Sequence, residues 1–422
     1  MDVTVEFMRN TVGEADCVSV EVDDFSNQGG FTGDMFLLRT THEQADGLVS
    51  KTRVIKTFVK GKLEKSIKLG LAREGLFLAN VDQLEETVSV FIPKVTFSRG
   101  DMDTGEKLII MEKLQGCQAG HLFTDKHHPS SWEVEDPRIA NSFLGNISQL
   151  EVCEESFRLA ARLHANSWMD KTMATKWPWL KGSQTVTGQA DPQWKSSQDA
   201  FTQAWEKTQQ LILDVQNKNG PFFNDMKFSS LEEKMAYKDI TSVYFDPHLV
   251  KCIQVSLSKI DFSACQKRYI PGQPSFYPWS LAHGDFWPGN IFFAKSGDSY
   301  VTKLLDFEVI GLGSGAQELG QFMISNSSPE ARRGCEYELC KIYHQELEKH
   351  LAESDKTYLP TVEQVWTEYK VGGASRWIWF VVYLAPIMPP YLTQYFCDQL
   401  TAFLKDHFPG DQGAQLVDMP RV

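Results

Sequence analysis

The chain has no long basic run, no CxxC pair and no uninterrupted apolar stretch of membrane-spanning length. Its 42 Lys and Arg against 55 Asp and Glu leave a formal charge of −13, the wrong sign for a surface whose main partner is nucleic acid or an anionic membrane. A small anionic ligand remains admissible where a local group of lysines and backbone amides reverses the field. The eight cysteines (Cys17, Cys117, Cys153, Cys252, Cys265, Cys335, Cys340 and Cys397) are scattered, and no histidine is spaced from one as in a zinc site. Reduced thiols are therefore expected. The N-terminus MDVTVEFMRNTVGEADC lacks a basic start and an apolar centre, so no export signal is expected and the expected location is cytoplasmic. The stretch RWIWFVVYLAPIMPPYL is cut by Pro386, Pro389 and Pro390 and falls short of the roughly 20 residues a membrane span needs. It reads as a buried helix. No low-complexity tract and no internal repeat is visible.

What is present is a globular composition, 42% apolar and 23% charged over 422 residues, longer than one ordinary core and therefore expected in two parts. Residues 1–115 read as a small β-rich region with one main helix. DMFLLRT (34–40) and TRVIKTFV (52–59) are strands, and the polar THEQADGLVSK between them is a hairpin or a longer connection. LEKSIKLGLAREGLFLANV follows at helical spacing and carries Glu74; FIPKVTFSRG and EKLIIMEKL add two strands around the turn GDMDTG. Residues 116–422 read as mostly helical, beginning with EESFRLAARLHANSW, in which Phe157, Ala160, Ala161, His164 and Trp168 share one face. Residues 180–280, polar and largely helical in pattern, form an expected substrate-shaping insertion.

The chemistry concentrates in LAHGDFWPGNIFF (281–293), where His283, Asp285 and Asn290 interrupt two apolar runs and Gly284, Pro288 and Gly289 shape a turn. KLLDFEVIG then places a second acid, Asp306, after another apolar run. Phosphoryl transfer needs a carboxylate beside the attacking hydroxyl, and an amide and another carboxylate to hold the magnesium that bridges the nucleotide phosphates. Protein kinases write this as H-R-D-L-x-x-x-N followed by D-F-G. Here the same spacing appears as H-G-D-F-W-P-G-N and D-F-E. The flanking apolar runs, IFF and KLLDF, are expected to form a short hairpin. An Asx-rich turn without catalytic purpose is the plain alternative.

On these motifs the chain resembles the aminoglycoside phosphotransferase and choline kinase superfamily, and within it the choline-kinase-like branch that includes ecdysteroid kinases. The likeness runs from about residue 25 to about 325 and also draws on FIPKVTFSRGDMDTGEKLIIMEKL and LAARLHANSW. It implies an α+β, bilobal, protein-kinase-like fold, with a small N-terminal nucleotide-binding lobe (1–115) and a larger, mostly helical catalytic and substrate lobe (116–422). It also implies ATP and Mg²⁺ as cofactors, Asp285 as catalytic base, Asn290 and Asp306 as metal ligands, and Lys56 as the lysine on the phosphates. Alternation along the strand puts Lys56 on one face with Val54 and Phe58, although Lys51 and Lys60 stand near enough to compete. Glu74 is the implied partner of Lys56, the backbone of Glu112 to Leu114 the adenine edge, and Gly29, Gly30 and Gly33 in NQGGFTGD the glycines of the phosphate-covering loop.

His283 is expected to brace the turn by hydrogen bonding, and His164 to be a core residue. Glu308, in place of the glycine of D-F-G, is either a structural contact or part of a second metal site. No A-P-E segment follows Asp306; VIGLGSGAQELGQFM runs toward a helix, with Glu318 and Leu319 where relatives often carry an Asp before an apolar residue. Protein substrates dock on the missing segment, so the expected partner is a small molecule bearing a hydroxyl. Trp177, Trp179, Trp194, Phe222, Phe223, Tyr277, Trp279, Trp377 and Trp379 are candidates for an apolar pocket or a cation cage. The expectation is an ATP- and Mg²⁺-dependent small-molecule kinase acting on an alcohol. A choline- or ethanolamine-like amino-alcohol kinase and a nucleotide-binding regulator without catalysis are the alternatives.

Overall fold

A computed structural model describes residues 3–25, 33–58, 61–120, 147–189, 192–215, 240, 242–259, 261–296 and 299–410. The chain divides into two compact units, Met1–Cys117 with Val301–Ile310, and Gln118–Tyr300 with Gly311–Val422. The first unit thus contains the segment that carries Asp306.

In the first unit, strands β1 (Cys17–Asp24), β2 (Gly33–Gln44), β3 (Gly47–Phe58), β4 (Val95–Gly100) and β5 (Lys107–Glu112) form one sheet in the order β1-β2-β3-β5-β4. All neighbours are antiparallel. The polar segment after residue 40 is strand on both sides of a tight hairpin, with register running from Gly33↔Phe58 to Gln44↔Gly47. Period-2 alternation then sorts the side chains. Leu38, Ile55, Leu108 and Ile110 join Met8 and Cys17 in one buried cluster, against which Phe7 of helix α1 (Val5–Asn10) packs. Lys56 and Lys107, one residue out of phase with Ile55 and Leu108, therefore project from the other face. Because Lys56 is paired with Ile109, Lys107 is its diagonal neighbour across the β3–β5 ladder.

The single main helix expected over residues 63–81 is instead two short ones, α2 (Leu63–Leu69) and α3 (Arg73–Leu78). Gly70 breaks it: at φ 67° it takes the left-handed C-cap conformation, and its N–H donates to Ser66 and Ile67 carbonyls, the usual way for a glycine to end a helix. The helix restarts at Arg73, and α3 buries Arg73, Glu74, Phe77 and Leu78.

The second unit is mostly helical. Its described helices include α4 (Gln149–Ala165), α5 (Pro192–Val215), α6 (Pro247–Ser258), α7 (Gly315–Asn326), α8 (Pro329–His350), α9 (Val362–Leu384) and α10 (Pro390–His407). Helix α4 starts with a reciprocal capping box between Ser148 and Glu151. RWIWFVVYL lies inside α9, which ends before Pro386, and no described helix is long and apolar enough to cross a membrane. Every residue of α7 is buried. Short strands complete the unit: β6 (Gln118–Ala119) pairs with β8 (Ile291–Ser296), and β7 (Ser280–Ala282) with β10 (Gly311–Gly313). Strand β9 (Ser299–Leu304) begins in this unit, belongs from Val301 onward to the first, and leads into the Asp306 segment. The α+β class expected from the sequence holds, with a β-rich N-terminal unit and a helical remainder. All eight cysteines are free.

Candidate active site

Alternation on β3 delivers Lys56 to a buried position, and the restart of the helix at Arg73 delivers Glu74 to meet it. The Lys56 ammonium lies 2.9 Å from Glu74 Oε1 and 2.8 Å from Asp306 Oδ1, with Glu308 Oε1 at 3.4 Å. Lys107 Nζ donates to Glu74 Oε2 at 2.8 Å and also to Glu308. The segment that carries the two later acids is tied down by α3: Arg73 donates to the Glu308 carbonyl at 3.2 Å, and the rings of Phe77 and Phe307 lie 4.6 Å apart. Asp306 stands at φ 68°, a left-handed conformation that Asp tolerates better than most residues. Burial works against charge on Lys56, yet the carboxylates of Asp306, Glu74 and Glu308 outweigh it and hold the ammonium well above its ordinary pKa. Burial likewise opposes charge on Glu74, and Lys107 and Lys56 together pull its carboxyl below the usual range. Carboxylate oxygens of Glu74, Asp306 and Glu308 approach within 4.8 Å of one another, so this group has the donors of a cation site.

In the second unit, the β7 strand ends at Ala282 and the chain turns at Gly284, whose φ of 81° requires a residue without Cβ. A 3₁₀ turn over Pro288–Asn290 then returns it to β8. The turn is closed by its own amide: Asn290 Nδ2 donates to Asp285 O at 2.9 Å and to Asp285 Oδ2 at 3.1 Å. Gln321 of α7 donates to Asp285 Oδ1 at 3.3 Å. His283, wholly buried, accepts the Asp285 N–H on Nδ1 at 3.3 Å, the bracing contact expected of it. Gly284 is held from both sides, its N–H donating to Glu318 Oε2 at 3.0 Å and its carbonyl accepting from Arg376 Nη2 at 2.5 Å.

Behind Gly284 lies a buried relay: Glu318 Oε1 meets His164 Nε2 at 2.7 Å, and His164 Nδ1 meets the Tyr343 hydroxyl at 2.9 Å. Burial raises the Glu318 carboxyl, but His164 and the Gly284 N–H more than offset it and the net direction is down. Burial depresses the Arg376 guanidinium despite the attraction of Asp285 and Glu318.

Of the residues singled out in sequence, Lys56, Glu74 and Asp306 come together in the first unit, and Asp285 and Asn290 in the second. Gly33 opens β2 and lies against the Lys56 stem, so that a Cβ there would stand 3.5 Å from Lys56 Cε and only 2.8 Å from the Thr57 carbonyl. Gly29, Gly30 and the competitor Lys60 lie outside the described residues, as do Phe222 and Phe223. Lys51 is drawn away from Lys56, to Glu14. Glu112 closes β5 with its N–H already donated to the Lys94 carbonyl, and Leu114 follows half-buried. Trp177, Trp194, Tyr277, Trp279 and Trp377 are buried core side chains, which leaves them poor material for an open cage.

Sequence reading gave no role to Lys107, Gln321 or Arg376 and none to Glu318 beyond its place in the chain. Their signals were faint: a charged residue inside an apolar run (Lys107 before LIIM, Arg376 before WIWF), and two polar residues, Glu318 and Gln321, three apart on one turn of a helix.

Residues 275–394 match a family, DUF1679, described as "Uncharacterized oxidoreductase dhs-27". The matched stretch contains Asp285, Asn290, Asp306, Glu318, Gln321 and Arg376. No curated protein matches the chain in sequence. Among solved structures, the chain is similar to a microcompartment-associated aminopropanol kinase at 10% identity and TM-score 0.45, covering 98% of this chain and 99% of that one. It is similar to an ethanolamine kinase of Plasmodium vivax at 12% identity and TM-score 0.40, covering 91% and 82%. A glucosamine kinase is similar at 12% identity and TM-score 0.37, covering 91% and 92%.

Proposed function

We propose that the chain is a phosphotransferase of the protein-kinase-like superfamily that uses ATP with Mg²⁺ and phosphorylates a hydroxyl of a small molecule. The observation that carries this reading is the Lys56 ammonium held between Glu74 and Asp306, at 2.9 and 2.8 Å. A strand lysine paired with a helix glutamate is the device by which kinases aim a cation at nucleotide phosphates. The donors suit the cofactor. Asp306 offers a carboxylate about a third exposed, and Asn290 commits its amide nitrogen to Asp285, which leaves its oxygen as the ligand type that Mg²⁺ takes.

When bound, Mg-ATP would supply the phosphoryl group and part of the neutralisation of its charge. In this reading Lys56 binds the phosphates, while Asn290 and Asp306 hold the metal. Asp285 takes the proton of the acceptor hydroxyl. Its two carboxylate oxygens accept from the neutral amides of Asn290 and Gln321, and its charge also attracts the Arg376 guanidinium. The residues after the Asp306 segment form β10 and the wholly buried α7, so that stretch serves to hold the Asp285 turn rather than to present a peptide-docking surface. That favours a small acceptor.

The test is transfer of labelled γ-phosphate from ATP with Mg²⁺ to a metabolite extract and to panels of amino alcohols, sugars and sterols. Reduced and oxidised nicotinamide cofactors are run beside them, because the matched family's description names an oxidoreductase. A phosphorylated small alcohol is expected. ATP binding without transfer to any acceptor would turn the assignment toward a nucleotide-binding regulator; nicotinamide turnover without ATP binding would overturn it.

A further inference from the structure

The Lys56 cluster holds more charge than the function proposed above uses. Three carboxylates, of Glu74, Asp306 and Glu308, share two ammonium groups, those of Lys56 and Lys107. Lys107 is wholly buried in its side chain and reaches the cluster from β5, and the two acids it contacts, Glu74 and Glu308, are themselves nearly buried. Unpaired charge in such a place is expensive, and removing one partner of a buried pair strands the other.

Among the described residues, Lys56 alone touches all three acids. For it to turn from Asp306 to a phosphate, Glu74 and Glu308 must keep a counter-ion when its charge is shared. Lys107 is placed to be that counter-ion. It shares Glu74 with Lys56, both ammonium groups standing 2.8 Å from Oε2 and Lys56 also 2.9 Å from Oε1, and it also binds Glu308, which lies 0.6 Å farther from Lys56 than Asp306 does (3.4 against 2.8 Å).

We propose that Lys107 is a positioning residue: by holding Glu74 and Glu308 itself, it leaves Lys56 free to exchange Asp306 for a nucleotide phosphate. The inference rests on the nucleotide reading above. It makes Glu308 the counter-ion of Lys107 rather than a ligand of a second metal. It also explains why an acid is tolerated where protein kinases have the glycine of D-F-G: this chain supplies a buried lysine to meet it.

The experiment measures Mg²⁺-free ATP affinity by calorimetry on folded wild type, Lys107→Met and Lys107→Met/Glu308→Gln, with thermal unfolding of each. In Lys107→Met, Lys56 becomes the sole cation for three acids and ATP must compete for it, so Kd should rise on the order of tenfold, about 1.4 kcal/mol. The double variant removes the surplus acid with the cation, leaving Lys56 with Glu74 and Asp306. Its Kd should return to within about threefold of wild type, roughly half of that 1.4 kcal/mol or less.

A Lys107→Met protein that binds ATP as wild type does would overturn the proposal, because a purely structural lysine would lower the unfolding temperature without moving Kd. So would a double variant no better than the single one, which would mean that Lys107 acts on the nucleotide directly. Should Lys107→Met fail to fold, the charge-matched double variant decides alone: Kd near wild type supports the proposal, and more than tenfold weaker binding overturns it. Failure of wild type to bind ATP would instead sink the nucleotide reading itself.

Discussion

Around Lys56, carboxylates and ammonium groups meet at 2.8 to 2.9 Å in a largely buried cluster, whereas around Asp285 amide groups of Asn290 and Gln321 reach the carboxylate at 3.1 and 3.3 Å. The first arrangement settles charge: each acid has a cation, and Lys56 stays protonated. In the second, neutral amides orient the Asp285 carboxylate, and a guanidinium, that of Arg376, is attracted to it. The buried pair His164 and Glu318 holds the backbone of this turn at Gly284 rather than the Asp285 carboxylate. Under the proposed function an ion-binding site and a proton-accepting site have different needs, and the two regions differ in their contacts.

The sharpest way to break this comparison is Asp285→Asn. If Asp285 only accepts a proton, phosphate transfer should fall by about 10²- to 10⁴-fold, the usual contribution of a general base, while calorimetric ATP affinity stays within about threefold, a change too small to signal a lost charged contact. A parallel loss of affinity would show that Asp285 settles charge as Asp306 does.

Next in size is Glu318→Ala, which leaves His164 and the Gly284 N–H without their acceptor in the interior. A loss of about 2–5 kcal/mol in denaturant unfolding is expected. Lys56→Met should cost less stability, about 1–2 kcal/mol, because Glu74 keeps Lys107 and Asp306 is partly wet. Its larger effect should fall on ATP affinity, and equal stability losses for the two variants would erase the contrast. Gly284→Ala forces a side chain into the left-handed region and should cost about 1–2 kcal/mol, with transfer falling further than ATP binding as the Asp285 turn shifts.

The pH profile separates the regions with the least perturbation at neutrality. Glu74 and Glu318 are held below their ordinary pKa, so their stabilisation is complete above the unfolded carboxyl value near 4.3 and is lost as pH falls through the lowered folded values. Lys56 is held above its ordinary value. Its stabilisation is therefore complete below about 10.4 and is lost as pH rises through the raised folded value. Wild type should show a flat neutral plateau with both limbs. Buried Tyr343 and Tyr369, also raised, add to the alkaline limb, so Lys56→Met should shrink that limb and keep the acid one; an unchanged alkaline limb would show that Lys56 does not contribute to it.

Much of this was legible before folding was considered. Alternation placed Lys56 apart from Ile55, and the five-residue step from Asp285 to Asn290 set both on one turn. Apolar spacing does not show the helix break at Gly70, because it continues through the break while the backbone does not: Ile67, Leu71, Phe77, Leu78 and Val81 keep the pattern and Gly70 takes a left-handed φ. Tryptophans such as Trp279 and Trp377 are buried, and composition alone cannot distinguish core from pocket lining.

The sequence by itself determined the α+β class, the residues of the Asp285–Asn290 turn, and the face of β3 that carries Lys56. All of these depend on neighbours within a few positions, where chain geometry alone fixes which side chains can meet. Only the tertiary structure decided that Lys107 meets Glu308 across 201 positions, that Glu318 reaches Gly284 across 34 and that Arg376 reaches it across 92. Periodicity says which face of an element is buried, not which element covers it. A buried charge takes its partner from whatever group the folded chain brings within about 3 Å, and that choice is made in space rather than along the sequence.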